Sequence, residues 1–478
     1  MRKTLIYITL IALLLTGCKS AKEARARLYS DYEGAHETSF IDSLFRDTAS
    51  TADSYLTPAD TVCFGNTAWR DIFNDPYVMP LIERALQNNS NLRMADETIY
   101  QAEQGLKVSQ LAFLPSVAFS PQGTISSFDF GKATKTYALP LGVSWQIDAF
   151  GNLRNAKKQA EMSVLQTRVA KQAVRTNIIS TVANLYYTLL MLDAQLQTTQ
   201  QTVEIWKKNV EVMGYLKEAG MTTAAAVSQY QANLLNLQAG VSQISSGITQ
   251  AENAICYILH ETPHPIARAT TYYTGGLPEF FSVGIPLQLL RNRPDVRIAE
   301  LQMAHAFYGR NKAEAAFYPS ITLNGTIGWT NSGGMGITNP AKVLANLIGQ
   351  ITQPIFARGQ IDANLRISES ELRRAQIKFE DALLQAGQEV SNYLKEYQAA
   401  SDQIAWYEQQ VAILEAARDQ TAELFTHGSS TTYLEKLTAE QSLLSAQLSL
   451  INARHARVQA MVNIFCALGG GREEETNQ

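Results

Sequence analysis

A chain of 478 residues, 46 % apolar and with a net charge of −4, is too long for one simple core and has room for two to four domains. That composition excludes a disordered chain, and the faint acidity excludes a binder of polyanions. Four cysteines (Cys18, Cys63, Cys256, Cys466) form no C-x-x-C pair and six histidines show no metal-ligand spacing, so neither metal nor cofactor is expected.

At the N-terminus, Arg2 and Lys3 precede an apolar run from Leu5 to Leu15 that ends in Leu15-Thr16-Gly17-Cys18. The run is too short to span a membrane as a helix and polar sequence follows, so residues 1–17 read as a signal peptide. The ending looks like a bacterial lipobox, in which Cys18 is acylated and becomes the first residue of the mature chain. An ordinary signal peptide with a chance cysteine is the alternative. Residues 18–68 are polar with little periodicity and read as a tether behind that anchor. No other run reaches the length of a transmembrane helix, which leaves a barrel as a route across a membrane.

Residues 69–112 carry apolar side chains at helical spacing (Leu81, Ile82, Ala85, Leu86, Leu92), with Asp75 as cap and Pro76 as first helical residue. Over 113–150 the period changes to two. Tyr137, Leu139, Leu141, Val143, Trp145 and Ile147 alternate with Ala138, Pro140, Gly142, Ser144 and Gln146, and a partner strand is expected within 115–130. Residues 319–356 repeat the pattern: Ile321, Leu323, Ile327 and Trp329 alternate with polar or small residues. Leu347, Ile351 and Ile355 mark the return strand after the loop Asn331 to Gly336. Strands of about 13 residues exceed the usual five or six and suit a tilted membrane crossing. Four strands close no barrel, and lipid tolerates no open edge, so closure needs further copies of the chain.

Helical hairpins follow both strand pairs, over 151–262 and 357–468. Ile178, Val182, Leu185, Leu189, Leu192, Leu196, Thr199, Val203, Trp206, Val210 and Met213 step by four and three, the seam of a coiled coil. Adding 208 to the first nine numbers gives Ala386, Val390, Tyr393, Tyr397, Ala400, Ile404, Tyr407, Val411 and Leu414 in the same register, preceded by Phe379 and Leu383. The chain is therefore two copies of one unit. All fourteen prolines lie outside 141–262 and 355–478. Each window can thus hold a helix of about 69 residues, roughly 100 Å, from Gly151 to Gly220 and from Gly359 to Gly428. Shorter helices return, about 222–260 and 431–467. A proline-rich connector (263–294) and a helix (295–318) link the repeats, and 469–478 is a tail.

Enzymatic constellations are missing: there is no G-x-S-x-G, no G-x-x-x-x-G-K-[ST] and no H-E-x-x-H, so no catalytic residue is assigned. Gly469-Gly470-Gly471 reads as a helix stop. Cys256 and Cys466 read as buried small apolar residues.

From Trp69 to Gly471 the chain resembles the outer-membrane efflux factors of the TolC type, in their lipoprotein branch serving resistance-nodulation-division pumps. Trp69-x-x-x-Phe73-x-Asp75-Pro76, Arg293-Pro294-Asp295-Val296 with Ala299-Glu300, Ala316-Phe317-Tyr318-Pro319-Ser320-Ile321 and Ala467-Leu468-Gly469-Gly470-Gly471 carry the resemblance. It implies a homotrimer in the outer membrane, with four strands per chain in one twelve-stranded barrel above a long coiled-coil helical barrel. Such an assembly is a passive exit duct for drugs or other small molecules, joined through a periplasmic adaptor to an inner-membrane pump. It also implies a periplasmic gate near Glu435, Thr438 and Gln441, where Thr438 departs from the family's acid. A solvated helix face fits those residues equally well. The turns Gly220-Met221-Thr222 and Gly428-Ser429-Ser430 are candidate adaptor contacts. Two other roles fit parts of the pattern: a duct for type I protein secretion, and a structural coiled-coil lipoprotein without a pore. Metal export finds no Met/His/Cys cluster in support.

Overall fold

The structure, a computed structural model, describes residues 22–34, 68–73, 75–127, 129, 131, 133–269, 293–330, 342–426 and 433–471. The expected signal peptide, Cys18, the expected 18–68 tether apart from 22–34 and 68, the loop 331–336, most of the connector and the turn Gly428-Ser429-Ser430 lie outside these residues.

Eight helices and five strands are used below: α1 (Trp69–Ile72), α2 (Val78–Asn88), α3 (Ser90–Leu111), β1 (Ser116–Phe119), β2 (Gln122–Ser126), β3 (Thr134–Ile147), α4 (Asn152–Glu218), α5 (Ala224–Leu259), α6 (Pro294–Ala315), β4 (Ser320–Thr330), β5 (Lys342–Thr352), α7 (Gln360–Thr426) and α8 (Tyr433–Ala467). The chain is mainly α, with one small sheet. α4 and α7 each run 67 residues without interruption, as their freedom from proline predicts.

Two compact units are present. One comprises Met1–Glu37, Glu97–Val169 and Ile298–Asp381, the other Thr38–Asp96, Ala170–Arg297 and Ala382–Gln478.

The first unit holds the sheet, antiparallel throughout, in the order β1-β3-β4-β5 with β2 also paired to β3. β1 and β2 are two pieces of one strand: Ser116 pairs with Ser144 and Gln122 with Ala138 in an unbroken register. The expected single strand is divided at Ser120-Pro121: the Ser120 N–H donates to the Pro140 carbonyl at 3.2 Å, but Pro140 has no N–H to return to Ser120. β5 ends at Thr352, so Ile355 lies beyond it, past Pro354. Segment 22–34 packs in this unit. Asn155 Nδ2 donates to the Leu28 carbonyl at 2.9 Å, and the Tyr29 hydroxyl donates to the Asp148 carbonyl at 2.8 Å.

In the second unit the core gathers Trp69, Phe73, Ile82, Ile179, Tyr186, Ile255 and Phe465, all buried, with Phe73 edge-on to Phe465 at 5.9 Å. Asp75 is buried but opens the helix differently from expectation. Its carboxylate accepts the Tyr77 N–H (2.7 Å) and the Tyr186 hydroxyl (3.1 Å), and regular helix starts only at Val78. Both seams are buried or half-buried along their whole length. Thr199, the polar interruption, donates its hydroxyl to the Gln195 carbonyl and so costs the seam little.

Candidate functional site: a two-faced sheet and a polar helix tip

Register decides which strand residues share a face. Val117, Val143, Gly325 and Leu347 stand in one row, Phe119, Leu141, Ile327 and Ala345 in another, and Ile147, Ile321 and Ile351 in a third. This face is apolar and exposed: Leu347 is 79 % accessible and Ile125 72 %. The opposite face carries the rows Ser116–Ser144–Asn324–Ile348, Ala118–Gly142–Thr326–Asn346 and Gln146–Thr322–Gln350. Apart from Ile348 these are hydroxyl, amide or small residues. β1 and β2 pair only with β3, and β5 only with β4, so both sheet edges are open among the described residues.

The tip of the second unit is built on Gly220. α4 ends with Gly220 at φ +73°, where its N–H reaches the Lys217 carbonyl and the Met221 N–H reaches that of Leu216. Thr223 then caps α5 by accepting the Ala226 N–H at 3.2 Å. Gly220 and Met221 are exposed, and Thr222 is half-buried.

At the start of α8, Glu435, Thr438 and Gln441 share one exposed stripe at steps of three, and the Thr438 hydroxyl donates to the Leu434 carbonyl. Behind that stripe lies what sequence reasoning missed. Glu440 is buried between Leu437 and Leu443, and both its oxygens accept from Asn209 Nδ2 at 2.9 Å. Lys436 Nζ donates to Asn209 Oδ1 at 3.0 Å, and its ammonium lies over the Phe425 ring. Burial pushes the Glu440 carboxyl up, and the Lys436 charge and Asn209 hydrogen bonds offset only part of that. The signal was present in the spacing: Asn209 stands three residues after Trp206, on a buried stripe, and Glu440 three after Leu437.

Arg293, Pro294 and Asp295 form a structural clasp. Pro294 is the first residue of α6, where no N–H is needed. The buried Arg293 guanidinium donates to both Asp295 oxygens (3.0 and 2.6 Å), to Glu389 (2.7 Å) and to the Ala467 carbonyl (3.0 Å). Burial would raise the Asp295 carboxyl, but Arg293 holds it below the usual carboxylate range. Glu300 is half-buried; its charge, after burial, helps raise the Tyr32 phenol. Cys256 is buried, and burial pushes the Cys466 thiol up to about 11; both are free thiols.

Residues 81–259 and 285–470 match the family model described as outer membrane efflux protein, well over half of the chain. The chain belongs to the outer membrane efflux protein family. It is accordingly a transport protein of the outer membrane, not an enzyme. Among its relatives, the cation efflux system protein CusC of Escherichia coli (strain K12) is 28 % identical over 411 residues, 85 % of this chain and 90 % of the relative. The antibiotic efflux pump outer membrane protein ArpC of Pseudomonas putida is 27 % identical, across 100 % of this chain and 98 % of its own. The probable outer membrane lipoprotein SilC of Salmonella typhimurium is 27 % identical, across 88 % of this chain and 92 % of its own. The crystal structure of CusC superposes with a TM-score of 0.79 at 28 % identity, covering 87 % of this chain and 99 % of that one. The open-state MtrE channel of Neisseria gonorrhoeae matches the fold with a TM-score of 0.75 at 24 % identity, covering 87 % and 95 %.

Proposed function

We propose that three copies of this efflux protein join their four-stranded sheets edge to edge into one barrel. The apolar face meets lipid, the polar face lines water, and the long helices continue the duct through the periplasm. The observation that carries this reading is the sheet with two open edges, one face apolar and the other hydroxyl- and amide-bearing. Open edges and a greasy exposed face are untenable for a lone chain in either water or lipid. Cys18 is the lipid anchor in this reading, in keeping with the name of SilC. An inner-membrane resistance-nodulation-division pump supplies the energy through a periplasmic adaptor, which meets the duct at Gly220-Met221-Thr222 and Gly428-Ser429-Ser430.

The exposed stripe of Glu435, Thr438 and Gln441 forms the gate rim between copies, and Glu440 with Asn209 holds α8 against α4 behind it. The cargo is a small molecule. Relatives are named for cations, antibiotics, toluene and solvents, and among the described residues no group of three His, Cys, Asp or Glu could hold a metal ion. Detergent-solubilised protein is expected to have the mass of three chains and to form channels in planar bilayers. A protein that is monomeric and dissolves without detergent would refute the reading. Glu435→Ala is expected to raise conductance; unchanged conductance and drug sensitivity would remove Glu435 from the gate.

A further inference from the structure

Among the strand residues, fixed charge is confined to Lys135 and Lys342, each beside a hairpin loop. Between those ends no Asp, Glu, Lys, Arg or His occurs on either face of β1 to β5. The apolar face needs no further explanation, since charge against lipid is costly. The polar face does, because a water-lined wall tolerates charge freely and the chain as a whole is 18 % charged. Its rows are instead uncharged: hydroxyl, amide and small residues, with Ile348 and Leu344 the large apolar ones at its register positions. Ser144 Oγ donates to Asn324 Oδ1 at 2.8 Å, while Thr326 and Asn346 stand beside each other one row away.

Pores select by sign through rings of charged side chains, whose field extends about 8 Å at physiological salt. Hydroxyl and amide groups donate and accept, and so solvate either sign. We propose that the polar sheet face, centred on Ser144, Asn324, Thr326 and Asn346, is a charge-neutral collar. It passes cationic, anionic and uncharged hydrogen-bonding solutes alike, and selection is made elsewhere in the assembly. This inference rests on the reading that the face lines water.

The test introduces Thr326→Cys into the full chain in outer membranes. Its reaction rates with a cationic trimethylammonium and an anionic sulfonate methanethiosulfonate reagent are compared, with the parent chain giving the background of native thiols. Relative to a free thiol in solution, the ratio of the two rates is expected to stay within about twofold. Adding Asn324→Asp, about 7 Å away along the strand, is expected to tilt the ratio several-fold toward the cationic reagent. A several-fold preference for either sign without the added carboxylate overturns the neutral collar. No reaction with either reagent overturns the water-lined reading beneath it, and the collar falls with it. Asn346→Cys on β5 serves as the second variant if Thr326→Cys fails to assemble.

Discussion

Asn209 spends its side chain on Glu440 and Lys436, so its removal strands a buried carboxylate. Asn209→Leu is expected to destabilise the protein by about 1–3 kcal/mol, seen as a lower unfolding midpoint in detergent. Glu440→Leu added to it should recover part of the loss, since removing both partners leaves no unpaired polar group. A double variant less stable than Asn209→Leu would show that the pair is not what the site protects. His455 sets the acid limit. It is buried, with Nε2 3.1 Å from the Thr188 hydroxyl, and burial pushes its imidazole down to about 4. Below about 6.5 the unfolded chain takes up a proton that the folded chain refuses, so stability falls with pH until about 4. The full loss is about 3 kcal/mol. Glu440 acts with the opposite sign, because its raised carboxyl favours the folded state as it protonates. Unfolding midpoints measured from pH 7 to 4 should therefore flatten in His455→Leu; an unchanged slope would assign the acid sensitivity to other groups.

At the scale of elements, periodicity carried the long helices and the strand faces. Val143 to Ile147 and Ile321 to Trp329 alternate because one side meets an apolar medium, and that constraint is written in the sequence itself. What stayed hidden depends on partners distant in sequence. Pro140 reads as one residue in a strand until its missing N–H, opposite Ser120, is seen to interrupt the ladder between β1 and β2. Spacing places Glu440 and Asn209 each on a buried stripe, but nothing in either stretch tells that the two meet across 231 residues. The glycines of β4 show the same dependence. A Cβ on Gly328 would lie 2.3 Å from the Leu139 carbonyl oxygen, because Gly328 faces Pro140 where the two strands run close. A Cβ on Gly325 would meet nothing nearer than 3.7 Å. Gly328→Ala is thus expected to disrupt the β3–β4 ladder and abolish membrane assembly, while Gly325→Ala leaves both intact. Heat-modifiable mobility on gels distinguishes the two, and equal behaviour of the variants would refute the close approach.

For the whole molecule, the question is which surfaces the copies cover. A single chain exposes large apolar side chains beyond the sheet, on α7 above all: Trp406 is 65 % accessible, Ile413 69 % and Ile377 64 %. Scattered apolar residues on a surface are ordinary, but bulky ones recurring along one long helix mark a covered face. Sheets joined edge to edge bring neighbouring chains together along their length, so α7 is where the helical parts of two copies would seal. Burying such a side chain contributes about 1.5–3 kcal/mol, and in a closed ring of three each substitution acts three times. Trp406→Ser with Ile413→Ser is therefore expected to shift the purified protein from trimer toward monomer while the fold of each chain persists. Light scattering in detergent reads the mass, and circular dichroism reads the retained helix. The detergent preparation contains neither adaptor nor pump, so loss of trimer there assigns the face to the copies themselves. A trimer of undiminished stability would leave the same face free for the adaptor and require the seal between copies to lie on another helix.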